Sequence, residues 1–281
     1  MNGADAANPS AGSTMQQLRH TPHVPAAEPG TAEFFLEVAL RIGRRVAAAA
    51  EWQDGGESAT WTIMGPDRDN PELRQAKPST ASGTLYEGTS GIALFLAELW
   101  SATGRADPEL ARTALGAIRF ALDSVAQLPE GSFGLHGGRV GVAYAAAVVG
   151  RALDRPGLLD EAVAVLRPAA GRENEDRGLD VIGGGGGAIP ALVALSAWLP
   201  DPELPLSIAR RLGDNLIAAA AHEPEGWGWG TMHGSAVRHL CGYAHGSAGI
   251  GHGLLELYLA TGDSRYRYAM EQAFLYENAF F

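Results

Sequence analysis

The chain has 281 residues, of which 46% are hydrophobic and 19% charged, and its formal net charge at pH 7 is −11. This length suffices for one large domain or two small ones, and the acidic balance excludes a nucleic-acid-binding surface, which would need a basic stripe. No apolar run reaches the length of a membrane span. The single cysteine, Cys241, cannot form an internal disulfide. The one lysine, Lys77, lies in a Pro/Ser/Thr-rich segment, which argues against Schiff-base and P-loop chemistry.

Residues 1–30 are rich in Ala, Pro, Ser, Asn and Gly and hold few large apolar side chains. They lack the basic start and apolar core of a signal peptide, so the sequence predicts a disordered leader on a cytoplasmic protein. The first helix is predicted to begin near Thr31, where apolar side chains recur at helical spacing. A polar loop is predicted to follow this helix, up to about Gly83.

A short phrase then recurs four times, formed by an apolar lead-in, Gly-x-x-Gly and an apolar run. The copies begin at Leu85, Leu135, Val181 and Tyr243, and their first aligned glycines are Gly88, Gly138, Gly184 and Gly246. Recurrence at intervals of roughly 50 residues is typical of repeat architectures, in which one unit cannot bury its own apolar face.

Each phrase is predicted to open a nearly uncharged helix, and a second helix with a charged face is predicted to follow it. The second helices are predicted at residues 108–128, 157–170, 205–222 and 264–281. Alternating buried and half-exposed helices are typical of an α/α toroid, in which inner helices are ringed by outer ones. No stretch keeps the two-residue alternation of a strand for long. The sequence therefore predicts an all-α fold, an α/α toroid of inner/outer helix hairpins whose ring is incomplete.

The repeated glycines are expected to allow close backbone approach and unusual φ values at the start of tightly packed helices. The run Gly183–Gly187 also resembles the phosphate loop of a nucleotide-binding protein. That alternative is disfavoured because the other copies lack phosphate-loop residues, no GK[ST] follows, and no long strand precedes the run.

The residue just before the first aligned glycine, here called the slot position, differs between the copies. It is Glu87, Gly137, Gly183 and then His245. The slot should lie at a helix N-terminus, where the helix dipole disfavours imidazolium and keeps a histidine neutral and basic. His245 is therefore a candidate general base or proton shuttle. The alternative is a histidine that caps the helix or packs against a loop carbonyl.

Asp180 stands four residues before Gly184, between the apolar residues Leu179 and Val181. An acidic residue there is out of keeping with its neighbours. It can cap the inner helix or anchor the loop, and it can equally take part in catalysis. In the catalytic interpretation, Asp180 and His245 line one end of the same cavity from adjacent repeats.

The segment around His245 also holds candidate metal ligands and aromatic residues. They are Trp227, Trp229, His233, His239, Cys241 and His252. A zinc site at Cys241 and His245 is a weak alternative, because the segment is Gly-rich and lacks paired cysteines. Cys241 is an equally weak candidate nucleophile, since no acidic partner is evident nearby. We interpret the two tryptophans as loop-packing or substrate-wall residues rather than core residues.

Three segments carry a resemblance to a known family: LYEGTSGIAL, LDVIGGGGGAIPALVAL and GYAHGSAGIGHGLLELYLATGDSRYRYAMEQAFLYE. From about Thr31 to Phe281 the chain resembles the lanthionine synthetase C-like family, the cyclases of lanthipeptide biosynthesis. The resemblance implies an α/α toroid that adds a cysteine thiol of a dehydrated precursor peptide to dehydroalanine or dehydrobutyrine, making a thioether ring. It also implies a zinc ion that lowers the thiol pKa, and it assigns the proton transfers to His245 and Asp180.

The chain departs from the family at the metal. The family's zinc ligands are two cysteines and a histidine adjacent to the second cysteine, and this chain contains no Cys-His pair. Those ligands belong to repeats beyond the one that holds His245. The resemblance therefore predicts a C-terminally truncated chain that holds no stoichiometric zinc and self-associates through the open edge of its ring.

Two other functions stay open. One is an α/α-toroid carbohydrate-active enzyme, which would need two acidic groups facing each other across the cavity. The candidates for these two groups are Asp180 and Glu87. The other is a non-catalytic peptide-binding scaffold.

Overall fold

A computed structural model describes residues 28, 30–66, 76–129, 131–170, 178–231 and 238–281. The leader predicted for residues 1–30 lies almost wholly outside these ranges. The chain divides into two compact units, Met1–Leu40 and Arg41–Phe281. In the first unit, the Thr31 hydroxyl accepts a hydrogen bond from the backbone N–H of Phe34 (3.2 Å) where the first helix begins.

The fold is largely helical, as predicted. The described helices are α1 (Ala32–Ala48), α2 (Thr89–Ala102), α3 (Pro108–Asp123), α4 (Arg139–Ala152), α5 (Gly157–Ala170), α6 (Gly185–Ser196), α7 (Glu203–Ala218), α8 (Ser247–Thr261) and α9 (Ser264–Phe280). None of these helices is long and apolar enough to cross a membrane. The second helix of each pair begins close to its predicted position, but two of them end early. The helix α3 ends at Asp123 instead of reaching residue 128, and α7 ends at Ala218 instead of reaching residue 222.

The first glycine of each phrase is the N-cap of a helix, which confirms the predicted register. Gly88 caps α2, Gly138 caps α4, Gly184 caps α6 and Gly246 caps α8. The expectation of unusual φ values is wrong at these four positions. Their φ angles lie between −144° and −114°, in a region that every residue type can adopt.

Close backbone approach, by contrast, accounts for the second glycine of the phrase. A Cβ at Gly141 would lie 1.8 Å from the carbonyl oxygen of Leu135, six residues earlier. In the last copy, a Cβ at Gly249 would lie 1.9 Å from the carbonyl oxygen of Tyr243. Any side chain at these positions would push the helix away from the turn that precedes it.

In the unit Arg41–Phe281, the four helices that follow the glycine phrases are here called the inner helices, and the helix that follows each of them in the chain is called its outer helix. The inner helices α2, α4, α6 and α8 each pack against the next, and each also packs against the outer helix that follows it in the chain. From Val140 to Gly150, every residue of α4 except Tyr144 is buried. The outer helix α3 instead carries an exposed ion pair between Arg112 and Glu109 (3.2 Å).

Three short antiparallel hairpins accompany the helices. β1 (Glu51–Gln53) pairs with β2 (Ser58–Thr60), β3 (Thr62–Pro66) with β4 (Ala76–Thr80), and β5 (Ala221–Glu223) with β6 (Gly226–Gly228). The prediction of a polar loop before Gly83 is therefore wrong, and Lys77 lies on β4. Strands of three to five residues are too short for a two-residue period to be recognised.

The two tryptophans of the last hairpin have different environments. Trp229 is 2% exposed, and its indole N–H donates to the carbonyl of Leu216 at 2.8 Å. It is a core residue, contrary to our interpretation, and its one polar atom is satisfied by the end of α7. Trp227 stacks on His222 across the hairpin, with ring centroids 4.2 Å apart and an interplanar angle of 3°.

Two adjacent glycines allow a matched test of the close-approach explanation. A Cβ at Gly138 would lie 2.6 Å from both the Gly134 nitrogen and the Ser132 oxygen, whereas one at Gly137 would meet no atom within 4 Å. We expect Gly138→Ala to lower the free energy of unfolding by about 1–3 kcal/mol through overpacking. Gly137→Ala should change it by less than about 0.5 kcal/mol. Urea unfolding measures both, and equal effects would contradict the explanation.

Candidate active site

Asp180 lies in the turn that leads into α6, and this turn is folded back on the helix start. The backbone N–H of Gly185 donates to the carbonyl of Gly178 (3.0 Å). The carboxylate Oδ1 of Asp180 accepts the backbone N–H of Gly183 at 2.7 Å, and the side chain is 12% exposed. Asp180 thus does anchor the loop, as the first of its two interpretations requires.

His245 occupies the slot position in the turn that leads into α8. Its carbonyl oxygen accepts a hydrogen bond from the Thr231 hydroxyl (2.6 Å). The neighbouring carbonyl of Ala244 accepts the backbone N–H of Val181 (3.2 Å). Because that bond joins the fourth phrase to the third, it brings the turn of His245 beside the turn of Asp180.

The two side chains meet. His245 Nδ1 lies 2.6 Å from Asp180 Oδ2, so the carboxylate uses one oxygen for the loop and the other for the imidazole. An ionised carboxylate only accepts hydrogen bonds, so Nδ1 carries the proton and Nε2 is the nitrogen with the lone pair. The His245 side chain is 41% exposed. A partly exposed, oriented imidazole can take up and return a proton.

The candidate metal ligands do not converge. No group of three or more His, Cys, Asp or Glu side chains able to hold a metal ion occurs in the part of the chain that the structure describes. His252 instead contacts the Tyr243 hydroxyl through Nδ1 (3.2 Å) and Glu256 through Nε2 (3.7 Å). His233 lies outside the described residues.

Cys241 has an acidic neighbour that the sequence analysis missed. Burial, the negative charge of Glu277 and a hydrogen bond to its carboxylate raise the pKa of the Cys241 thiol. A raised pKa disfavours the thiolate, which is the form that attacks electrophiles and binds metal ions. The environment of Cys241 is therefore opposite to that of a catalytic cysteine. Glu277 lies on α9, 36 residues after Cys241, so inspecting the sequence close to the cysteine could not reveal this contact.

A cavity of about 630 Å³ extends from the turn of Asp180 toward the first two repeats. Three slot positions, Glu87, Gly137 and Gly183, line it, whereas Asp180 and His245 are not among its lining residues, contrary to the expectation that both face this cavity. A Cβ at Gly137 would meet no atom within 4 Å, and one at Gly183 would meet only Asp180 Oδ1, at 3.6 Å. Packing therefore does not require glycine at these two slots. Their lack of side chains keeps the cavity wide.

Two aromatic residues of this cavity were also missed. Tyr86 and His136 both line it, and each stands one position before a slot residue. The backbone N–H of Tyr86 donates to the carbonyl of His136 (2.9 Å), and the two rings meet edge-on with centroids 6.1 Å apart. Comparing the copies at the position before the slot would have revealed both residues.

The raised pKa of Cys241 is open to a direct test. We expect the rate of alkylation by iodoacetamide to rise with pH at a higher midpoint in the folded protein than in the same chain unfolded in urea. The reason is that burial and Glu277 reduce the thiolate fraction at any given pH. Mass spectrometry of the labelled chain gives the rates. A folded-state midpoint at or below the unfolded one would contradict this description of the thiol.

Comparison with known families matches the sequence to one family. The sequence model described as Lanthionine synthetase C-like protein matches residues 79–281, more than half of the chain. The matched range contains all four glycine phrases together with Asp180 and His245, although the resemblance seen in the sequence begins earlier, near Thr31. Comparison with the curated proteins found no match. On the family match, the chain belongs to the lanthionine synthetase C-like family.

Proposed function

We propose that this chain acts in thioether cyclisation, adding a cysteine thiol of a dehydrated precursor peptide to a dehydroalanine or dehydrobutyrine of the same peptide. The observation that carries the proposal is the 2.6 Å contact between His245 Nδ1 and Asp180 Oδ2. It orients one imidazole at the start of an inner helix, and its partner Asp180 accepts the N–H of Gly183, which lines the cavity. The chain belongs to a family whose members act on peptides.

The proposed chemistry is a proton transfer coupled to bond formation. The substrate sulfur bonds to Cβ of the dehydro residue, the Cα=Cβ double bond is lost, and an enolate forms at Cα. His245 Nε2 takes the thiol proton and a proton is returned to Cα, so no atom is gained or lost overall. Asp180 holds the protonated Nδ1 and stabilises the imidazolium while Nε2 carries the proton.

The proposal assigns no role to zinc, because the described residues do not form a zinc site. The family resemblance implies a zinc ion that activates the thiol, but a catalytic zinc site needs three protein ligands. The described residues gather no such group, and the thiol of Cys241 faces the carboxylate of Glu277. The residues present do not fit the ion, so we derive no step through it.

The substrate peptide is proposed to enter the cavity whose wall includes Gly183, the residue that donates its backbone N–H to Asp180. The volume of the cavity, about 630 Å³, is in the range of small-molecule sites and suits a short peptide segment. We also propose that the inner helices α2, α4, α6 and α8 form part of a toroid whose mouth is this end. The successive packing of neighbouring inner helices supports that arrangement.

The geometry favours this function over a glycoside hydrolase. Hydrolysis of a sugar would need a pair of carboxyl groups flanking the bond to be cleaved. Of the two candidates, Glu87 lines the cavity but Asp180 does not. Asp180 instead directs one oxygen to His245 and the other to Gly183. A peptide-binding scaffold without catalysis would bind the same peptide and leave its thiol free. Counting the free thiols of the peptide therefore distinguishes a scaffold from a cyclase.

Substitution of the pair tests the chemistry. The substrate is a synthetic peptide with one dehydroalanine and one cysteine. Ring closure leaves its mass unchanged, so remaining thiols are labelled with N-ethylmaleimide and counted by mass spectrometry. We expect His245→Ala to slow cyclisation by about 10²–10⁴-fold, the usual contribution of general acid–base assistance.

Asp180→Asn should also slow cyclisation, because an amide N–H aimed at Nδ1 favours the tautomer without a lone pair on Nε2. His252→Ala is the matched control, a partly exposed histidine on α8 paired with Tyr243, and should react at the parental rate. Cyclisation by His245→Ala at the parental rate would exclude the proposed role.

The cavity is tested separately by filling it. We expect Gly137→Leu to weaken binding of the same peptide at least tenfold, because the leucine side chain would occupy the open space beside this slot. The matched control is Gly157→Leu, at an exposed glycine of α5 that also has no atom within 4 Å of an added Cβ. Fluorescence anisotropy of a labelled peptide gives the affinities. Equal affinities for both variants would place the peptide elsewhere.

A further inference from the structure

We propose that Glu277, on α9, is the residue that positions His245. Glu277 is the last residue of the third segment that carries the family resemblance, and no role has been given to it so far. The consequence for catalysis rests on the proposed cyclase function. The contacts that carry the inference do not depend on it.

The carboxylate of Glu277 binds backbone N–H groups on both sides of His245. Gly242, three residues before the histidine, donates to Oε1 (2.8 Å) and Oε2 (3.1 Å). Ala248, three residues after it, donates to Oε2 (3.2 Å). One side chain therefore fixes the two ends of the segment that presents the imidazole.

This carboxylate supplies a helix cap that α8 cannot provide for itself. A helix is normally capped by the side chain of its N-cap residue, which accepts the N–H of the second or third helical residue. The N-cap of α8 is Gly246, which must stay glycine because a Cβ there would lie 2.3 Å from the carbonyl carbon of Cys241. Glu277 accepts the N–H of the second helical residue, Ala248, in its place.

The third copy of the phrase shows the difference. At the start of α6 the second helical residue is Gly186, and its N–H donates to a backbone carbonyl, that of Leu179, at 3.1 Å. In the copy that carries the histidine, a charged side chain takes this bond. Negative charge at a helix N-terminus is stabilised by the helix dipole, and a charge-assisted bond is stronger than a neutral one.

Tyr276, the preceding residue, holds the same segment further upstream. It is 1% exposed, and its hydroxyl accepts the backbone N–H of His239 (3.1 Å) and donates to the carbonyl of the same residue (3.3 Å). Together, Tyr276 and Glu277 attach residues 239–248 to α9. Asp180 then meets an imidazole whose backbone is already fixed.

The test reads the geometry of His245 directly. In the full chain labelled with ¹⁵N, the His245 Nδ1–H signal is assigned by its loss in His245→Ala, and its downfield position reports the bond to Asp180. We expect Glu277→Ala to shift or broaden this signal, and Glu277→Gln, which keeps one acceptor oxygen, to do so to a smaller extent. Glu271→Ala is the control, since Glu271 lies on the same helix and pairs at the surface with Arg267 (2.8 Å).

The outcomes separate positioning from mere stabilisation. A folded Glu277→Ala whose His245 signal matches that of the parent protein would overturn the proposal, whatever its loss of stability. If Glu277→Ala does not fold, the signal of Glu277→Gln decides in the same way.

Cyclisation of the dehydroalanine peptide adds an independent readout. We expect kcat to fall by about 10- to 100-fold in Glu277→Ala, the scale of a misplaced catalytic group, with KM changed by less than about twofold. A signal change in a protein that never cyclises the peptide supports the positioning role of Glu277 and refutes the cyclase function.

Discussion

The structure depends on a backbone hydrogen bond that has an equivalent in each of the four repeats. The first residue of each inner helix donates its N–H to the carbonyl seven positions earlier. The bonds run from Thr89 to Ser82 (2.8 Å), Arg139 to Ser132 (2.9 Å), Gly185 to Gly178 (3.0 Å) and Ser247 to Leu240 (3.1 Å). Each bond satisfies an N–H that the helix itself leaves without a partner, and each holds the preceding turn against the helix start. Side chains at the two glycines would prevent this approach.

The same constraint explains where chemistry can be placed. The glycines of the phrase are fixed by backbone contact, but the slot residue between the turn and the helix is not, as the open space at Gly137 shows. The slot can therefore change from glycine to glutamate or histidine without disturbing the helix. The requirements of folding and those of function thus fall on adjacent but different positions. The repeats can share a fold while only one of them carries an imidazole at the slot position.

Sequence reasoning reached those parts of the molecule that repeat and left out those that do not. The helix starts and the slot positions of Glu87 and His245 were predictable because copies could be compared with one another. The hairpin β5–β6 was not, because each of its strands has only three residues. The burial of Trp229 was not predictable either, since a buried tryptophan in a Gly-rich segment resembles a surface loop residue in sequence. Glu277 was equally out of reach, since its partners Gly242 and Ala248 contribute only backbone N–H groups, which every sequence contains.

The pairing of Asp180 with His245 shows how a structural residue acquires a second task. A carboxylate that anchors a turn through one oxygen can accept another hydrogen bond through its second oxygen, and no further polar group has to be buried for this bond. In the third phrase that oxygen meets the imidazole of the fourth, because the bond between Val181 and Ala244 aligns the two turns. The desolvation of Asp180 is already compensated by the loop it holds. The orientation of His245 therefore depends on the packing of neighbouring repeats, and an isolated repeat would have no means of forming this site.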